Sequence, residues 1–172
     1  MLTRIIALLM IIGIASPLWP IGENPLVGDP FVIVNKQTNE LAYVDEGEVK
    51  KVYPVATGKT KDLTPEGTFT MTVKAVDPYY RKENIEGGDE SNPLGTRWIG
   101  FDAEDTIGRT YGVHGTNQPS SIGEYRTAGC VRMHNEDVEE LYANIPIGTK
   151  VLVVDSTSSF EELAKNNGAI QL

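Results

Sequence analysis

Two stretches decide how this chain is read: Tyr111-Gly112-Val113-His114-Gly115-Thr116, and Thr127-Ala128-Gly129-Cys130-Val131-Arg132-Met133 downstream of it. Each contains a short run suited to a β-strand, where side chains alternate between two faces. In the second, the alternation puts Cys130 and Arg132 on one face, with His134 next in the same series, and Val131 and Met133 on the other. The first ends in a turn at Gly115, where the His114 imidazole can be held at hydrogen-bond distance from the sulfur. Cys130 is the only cysteine among 172 residues. A lone cysteine closes no internal disulfide, and an unpaired thiol in an oxidising compartment needs a reason to be there.

Nucleophilic chemistry is one such reason. A guanidinium beside the thiol favours the attacking thiolate and can hold an anionic substrate group. An imidazole in reach takes the thiol proton and returns it to a leaving amine. Backbone N–H groups at Ala128, Gly129 and Cys130 are candidate oxyanion donors, because glycine lets the chain approach a reacting carbonyl closely. Structural readings stand beside this one. A free cysteine often behaves as a small buried hydrophobe, an isolated histidine is often only a hydrogen-bonded one, and Cys130, His114 and His134 are a conceivable zinc set that lacks the usual ligand spacing.

Outward from the centre, the pattern stays β. Residues 31–34 and 41–44 are apolar runs flanking a polar loop, and so predict a hairpin. Residues 49–56 predict a half-exposed strand, 57–59 a turn, and 68–76 a strand with Phe69, Met71 and Val73 facing inward. Residues 77–95 break the pattern; a loop this long is expected to border or cover the site. Residues 97–101 predict a further strand with Trp98 in the core. Residues 117–126 are polar and turn-rich, and so could wrap the site. Asn135 is expected to cap a helix carrying Glu136 and Asp137 in its first turn and Val138, Leu141, Tyr142 and Ile145 on its buried face. Residues 150–154 predict a central strand. Ser158 with Glu161 reads as a capping box opening a short terminal helix that packs on the sheet and carries no chemistry.

The segments His114-Gly115-Thr116-Asn117 and Thr127-Ala128-Gly129-Cys130-Val131-Arg132-Met133 together resemble the signature of the L,D-transpeptidase (YkuD-type) family of bacterial cell-wall enzymes. Thr57-Gly58, Thr64-Pro65-Glu66-Gly67-Thr68-Phe69 and Asn92-Pro93-Leu94-Gly95-Thr96-Arg97-Trp98 extend the resemblance over residues 30–155. It implies a mainly β fold of packed sheets, a β-sandwich with one or two peripheral α-helices. It further implies a cysteine-dependent transpeptidase acting on peptidoglycan stem peptides without metal or other cofactor, and open to carbapenem inhibitors. Cys130 resembles the nucleophile and His114 the base. Arg132 then orients substrate or supports the thiolate, with Gly129, Ala128, Thr127, Gly115 and Thr116 around the oxyanion and substrate. The family pattern has Ser-His where this chain has Thr127-Ala128, so its second histidine is missing. An L,D-carboxypeptidase, in which water replaces the acceptor amine, or a wall-binding module without turnover are the competing functions. A working site predicts a low thiol pKa and rapid carbapenem acylation, a binding module an ordinary thiol.

The chain opens with Arg4 before an apolar run over residues 5–15 and small residues Gly13 and Ala15, the layout of a secretory signal. An uncleaved anchor is the alternative, although residues 5–19 span only roughly 22 Å as a helix against a hydrocarbon core of about 30 Å. Either way the rest is expected to be exported to the cell envelope, touching membrane only through that segment. The division expected is leader and linker over 1–30, a catalytic domain over 31–155 and a helical extension over 156–172. With 24 acidic against 15 basic residues and a net charge of −9, nucleic acid is disfavoured as a partner. An anionic wall polymer must be held by local contacts such as Arg132.

Overall fold

The computed structural model describes residues 24–171, so the expected leader over 1–15 lies outside the described residues. No helix among them is long and apolar enough to cross a membrane.

Phe31–Asn35 (β1) and Lys150–Val154 (β10) lie side by side in parallel at the centre of the sheet, Phe31 opposite Lys150 and Val34 opposite Val153. Both read as nearly continuous apolar runs because both of their faces are covered. Val32, Val34, Val151 and Val153 point into the main core; Phe31, Ile33 and Leu152 point into a second cluster on the opposite face. Glu40–Asp45 (β2) pairs antiparallel with β1, and Glu48–Pro54 (β3) pairs with β2 and forms the exposed edge. On the other side of β10 runs Gly67–Val76 (β5), antiparallel to it.

The ten-residue β5 joins two arms. Its first half pairs with β10 and its second half with Arg97–Phe101 (β6), the latter ladder slipping register between Met71 and Val73. Such irregularities bend a strand and increase its twist. Tyr111–His114 (β7) and Val131–Arg132 (β9) complete one curled eight-stranded sheet in the order β3-β2-β1-β10-β5-β6-β7-β9. The mainly β expectation holds, and the packed layers are arms of one continuous sheet. Tyr53, Met71, Ile99, Phe101, Val113, Val131 and Met133 fill the space between the arms, closed by Asn135–Asn144 (α1) through Val138 and Leu141. Phe160–Asn166 (α2) covers the opposite face of β1 with Leu163 and Ala164.

Three local expectations shift. Residues 57–59 are no simple turn: Thr57–Gly58 (β4) pairs in parallel with Tyr125–Thr127 (β8). The cap position of α1 falls to His134, which makes no side-chain cap bond, while Asn135, expected there, turns its carbonyl to Thr96 and Thr116 in neighbouring loops. The cap of α2 is Ser159, whose hydroxyl accepts from Glu162 N–H, one residue later than expected; Ser158 N–H is taken by Ser156 Oγ.

Candidate active site

The parallel pair β7 and β9 aligns Val113 with Val131 and His114 with Arg132. Facing residues on paired strands point to the same side, and residues two apart on one strand share it. His114 and Arg132 therefore share one face at the edge of the sheet, and Cys130, just before β9, continues the same alternation. Val131 and Met133 are fully buried behind them.

The thiol is partly exposed and donates to Thr110 O at 3.5 Å, not to the imidazole. Burial pushes it above its ordinary value, against the lowering effects of a Gly112 backbone bond and the charges of Lys82 and Arg132. The expected low thiol pKa is thus absent from the free protein: Arg132 acts in the anticipated direction, but desolvation is larger. His114 is 5% exposed. Its Nδ1 lies 2.6 Å from Gly115 O, and since a carbonyl only accepts, Nδ1 carries the proton and Nε2 remains the basic nitrogen. Burial, with the Arg132 charge added, pushes the imidazole down to about 4 although the Gly115 and Leu94 carbonyls favour the protonated ring. Near neutral pH the thiol and the imidazole therefore both rest uncharged.

Trp98, opposite His114 in the β6–β7 register, stacks on its ring with centroids 5.7 Å apart and planes 15° apart. The indole is fixed in turn by its N–H to Gly108 O at 2.9 Å. Trp98 is in the core, as expected, and also serves as the wall that orients the base. Nothing in the sequence pointed to that second role.

Arg132 donates from Nη1 to Ser121 Oγ at 2.8 Å, while its Nε is buried without a protein partner. It takes part in none of the ion pairs among the described residues. A half-buried guanidinium left unmatched by any carboxylate is suited to an anionic ligand.

The turn before the thiol is built by Thr127, whose hydroxyl donates to Cys130 O at 2.6 Å and accepts from Gly129 N–H at 3.1 Å. Gly129 N–H is thus engaged in this state. The position needs glycine: its φ is +136°, and a Cβ would lie 2.5 Å from Leu63 O. Ala128 points to solvent. Gly115 and Thr116, expected around the oxyanion and substrate, pack against the start of α1. A Cβ on Gly115 would meet Asn135 Oδ1 at 2.1 Å, and Thr116 N–H donates to that oxygen at 3.0 Å. Asn135 also receives Thr96 N–H at 3.4 Å, and so ties the loop after His114 to the loop before β6. Its position at a helix start made it read as a cap.

The loop over 77–95 meets this region at Leu94, whose carbonyl acts on the His114 ring. Asn92, 1% exposed, holds it together by donating to Pro78 O and Glu86 O at 2.8 and 3.1 Å and accepting from Leu94 N–H at 2.9 Å. A cavity of about 400 Å³ lies between this loop, the segment after His114 and the start of α1, lined by Asn92, Thr96, Thr116, His134 and Asn135 among others and not by Cys130, His114 or Arg132. His134 is a wall of that cavity. Among the described residues, no three His, Cys, Asp or Glu side chains converge to hold a metal ion.

A family model described as the L,D-transpeptidase catalytic domain, YkuD, matches residues 29–153. YqjB of Bacillus subtilis strain 168, named for L,D-transpeptidase activity, is 61% identical over 155 residues, covering 90% of this chain and 88% of the relative. The solution structure of the catalytic domain of an L,D-transpeptidase from Enterococcus faecium superposes with a TM-score of 0.57 at 25% identity, over 74% of this chain and 98% of that one. The avibactam carbamoyl enzyme of Ldtfm shares the fold with a TM-score of 0.62 at 24% identity; 79% of this chain is covered, but only 53% of that longer one.

Proposed function

The chain belongs to the YkuD family of L,D-transpeptidase catalytic domains, and from that premise we propose that it cross-links peptidoglycan stem peptides through a thioester on Cys130. The observation that carries this reading is the common face of Cys130, His114 and Arg132 on the β7–β9 pair.

The donor is a tetrapeptide stem, entering with its terminal carboxylate toward Arg132. Sγ leaves the Thr110 carbonyl, gives its proton to His114 Nε2 and attacks the carbonyl between the third residue and the terminal D-alanine. The tetrahedral oxyanion is met by backbone N–H groups at Gly129 and Cys130, the former exchanging its bond to Thr127 Oγ1. The C–N bond breaks, the imidazolium protonates the departing amine, and D-alanine leaves. A side-chain amine of a second stem then attacks the thioester, His114 takes its proton, and the thiol is restored as the new amide forms. Neutral resting partners suit this sequence, because a buried ion pair is costly until a substrate supplies compensating charge. The apolar run over residues 5–15 supports export, placing the domain outside the cytoplasm, facing the wall.

The test is incubation of the purified protein with a disaccharide tetrapeptide and mass analysis of products. D-Alanine release with cross-linked dimer is expected, and Cys130→Ala abolishes both. Tripeptide without dimer would replace the transferase by a carboxypeptidase, and no turnover at all would remove the enzymatic reading.

A further inference from the structure

Lys36 follows β1 and is 4% exposed. Burying an ammonium is expensive unless each of its three protons finds an acceptor. Here each does: Nζ donates to Thr64 O at 2.9 Å and to Lys61 O, and pairs with Glu66 Oε1 at 3.0 Å. All three partners belong to one irregular segment, residues 61–66, which lacks strand or helix bonds to hold it.

That segment supports the backbone beside the thiol. Thr64, fully buried, accepts Gly58 N–H on its hydroxyl at 2.9 Å. Gly58 lies opposite Thr127 in the β4–β8 pair, and Lys59 N–H donates to Thr127 O at 3.0 Å. Thr127 is the residue whose hydroxyl closes the turn at Cys130. By a second route, Leu63 O lies so close beneath Gly129 that a Cβ there would be 2.5 Å from it. The Lys36 ammonium thus fixes a floor that touches the nucleophile's turn at Thr127 and at Gly129.

We propose that Lys36 is a positioning residue for acyl transfer: by gathering the 61–66 segment it sets the height of the Gly129–Cys130 backbone, and with it the aim of the oxyanion donors and of Sγ. The inference rests on the acyl-transfer reading above. Misplacing a reacting group by a fraction of an ångström costs about tenfold or more in rate, well before a fold is lost.

Carbapenem acylation of Cys130, followed by mass, requires both thiol and oxyanion geometry, whereas alkylation by iodoacetamide requires only an accessible, ionisable thiol. In Lys36→Met, acylation is expected to slow at least about tenfold while alkylation stays within about twofold of wild type, and Lys36→Arg, able to reach the same carbonyls, is expected to recover most of the acylation rate. Unchanged acylation in Lys36→Met overturns the proposal. So does a parallel rise in alkylation, which would mark general loosening. Should Lys36→Met fail to fold, Thr64→Val removes the next link and is read by the same two rates and criteria. An unreactive wild-type thiol would instead sink the acyl-transfer reading itself, a result separable from any difference among variants.

Discussion

The proton on Cys130 is held by desolvation against two nearby cations. The free protein is therefore expected to react slowly with iodoacetamide at pH 7, with the rate still climbing beyond pH 9, the ordinary thiol value. Arg132→Met removes one of the opposing charges and is expected to move that climb further up; a pH–rate profile for both proteins checks it, and a midpoint near 7 in wild type would contradict it. A slow alkylation here does not mark a dead site. The reagent that reports competence is one that places an anion on Arg132 and a carbonyl over Sγ. Ala128 belongs to the same scale: it is exposed, so a histidine in its place would stand in solvent and carry no packing.

Among elements, the informative piece is α1, because its first residue does more than begin a helix. Asn135 binds the N–H groups of Thr96 and Thr116 with one oxygen and so fixes both loops that flank His114. Asn135→Ala leaves two part-buried donors unmatched and is expected to cost roughly 1–3 kcal/mol, read by urea denaturation, together with a fall in D-alanine release. The strands that carry chemistry were legible because alternation is local: Cys130 and Arg132 had to share a face wherever the strand lay. The partner across from them was not legible, since nothing in residues 111–133 says that β7 and β9 run parallel or that Trp98 faces His114. The helix caps slipped by a residue for a related reason. Ser158, Ser159 and Asn135 all have cap chemistry, and tertiary neighbours decide which of them uses it. That Gly115 O would hold the imidazole and Thr116 N–H would bind Asn135 was not legible either, because both contacts depend on how the loop folds back.

For the whole molecule, the buried His114 imidazole makes stability depend on pH. Above about pH 6.5 His114 is neutral folded or unfolded and contributes no pH dependence. As pH falls below that, the unfolded chain takes up a proton that the folded one refuses until about pH 4, so stability declines across this window and levels off beneath it. Urea unfolding at pH 7 and pH 5 is expected to show wild type losing about 2 kcal/mol more than His114→Gln; equal losses would mean that the imidazole is not desolvated. The net charge of −9 leaves the molecule no general attraction for an anionic polymer. On the proposed reading, the charges of Lys82 and Arg132 near the thiol supply the local attraction instead. The pairing of β1 with β10 has a further consequence, for how the protein comes into being. Phe31 can pair with Val44 early, but its parallel partner is Lys150, so a nascent chain keeps one side of its first strand open until residues 150–154 have been made. Closing so wide a loop is slow, and the domain stays pliable for as long as it is incomplete.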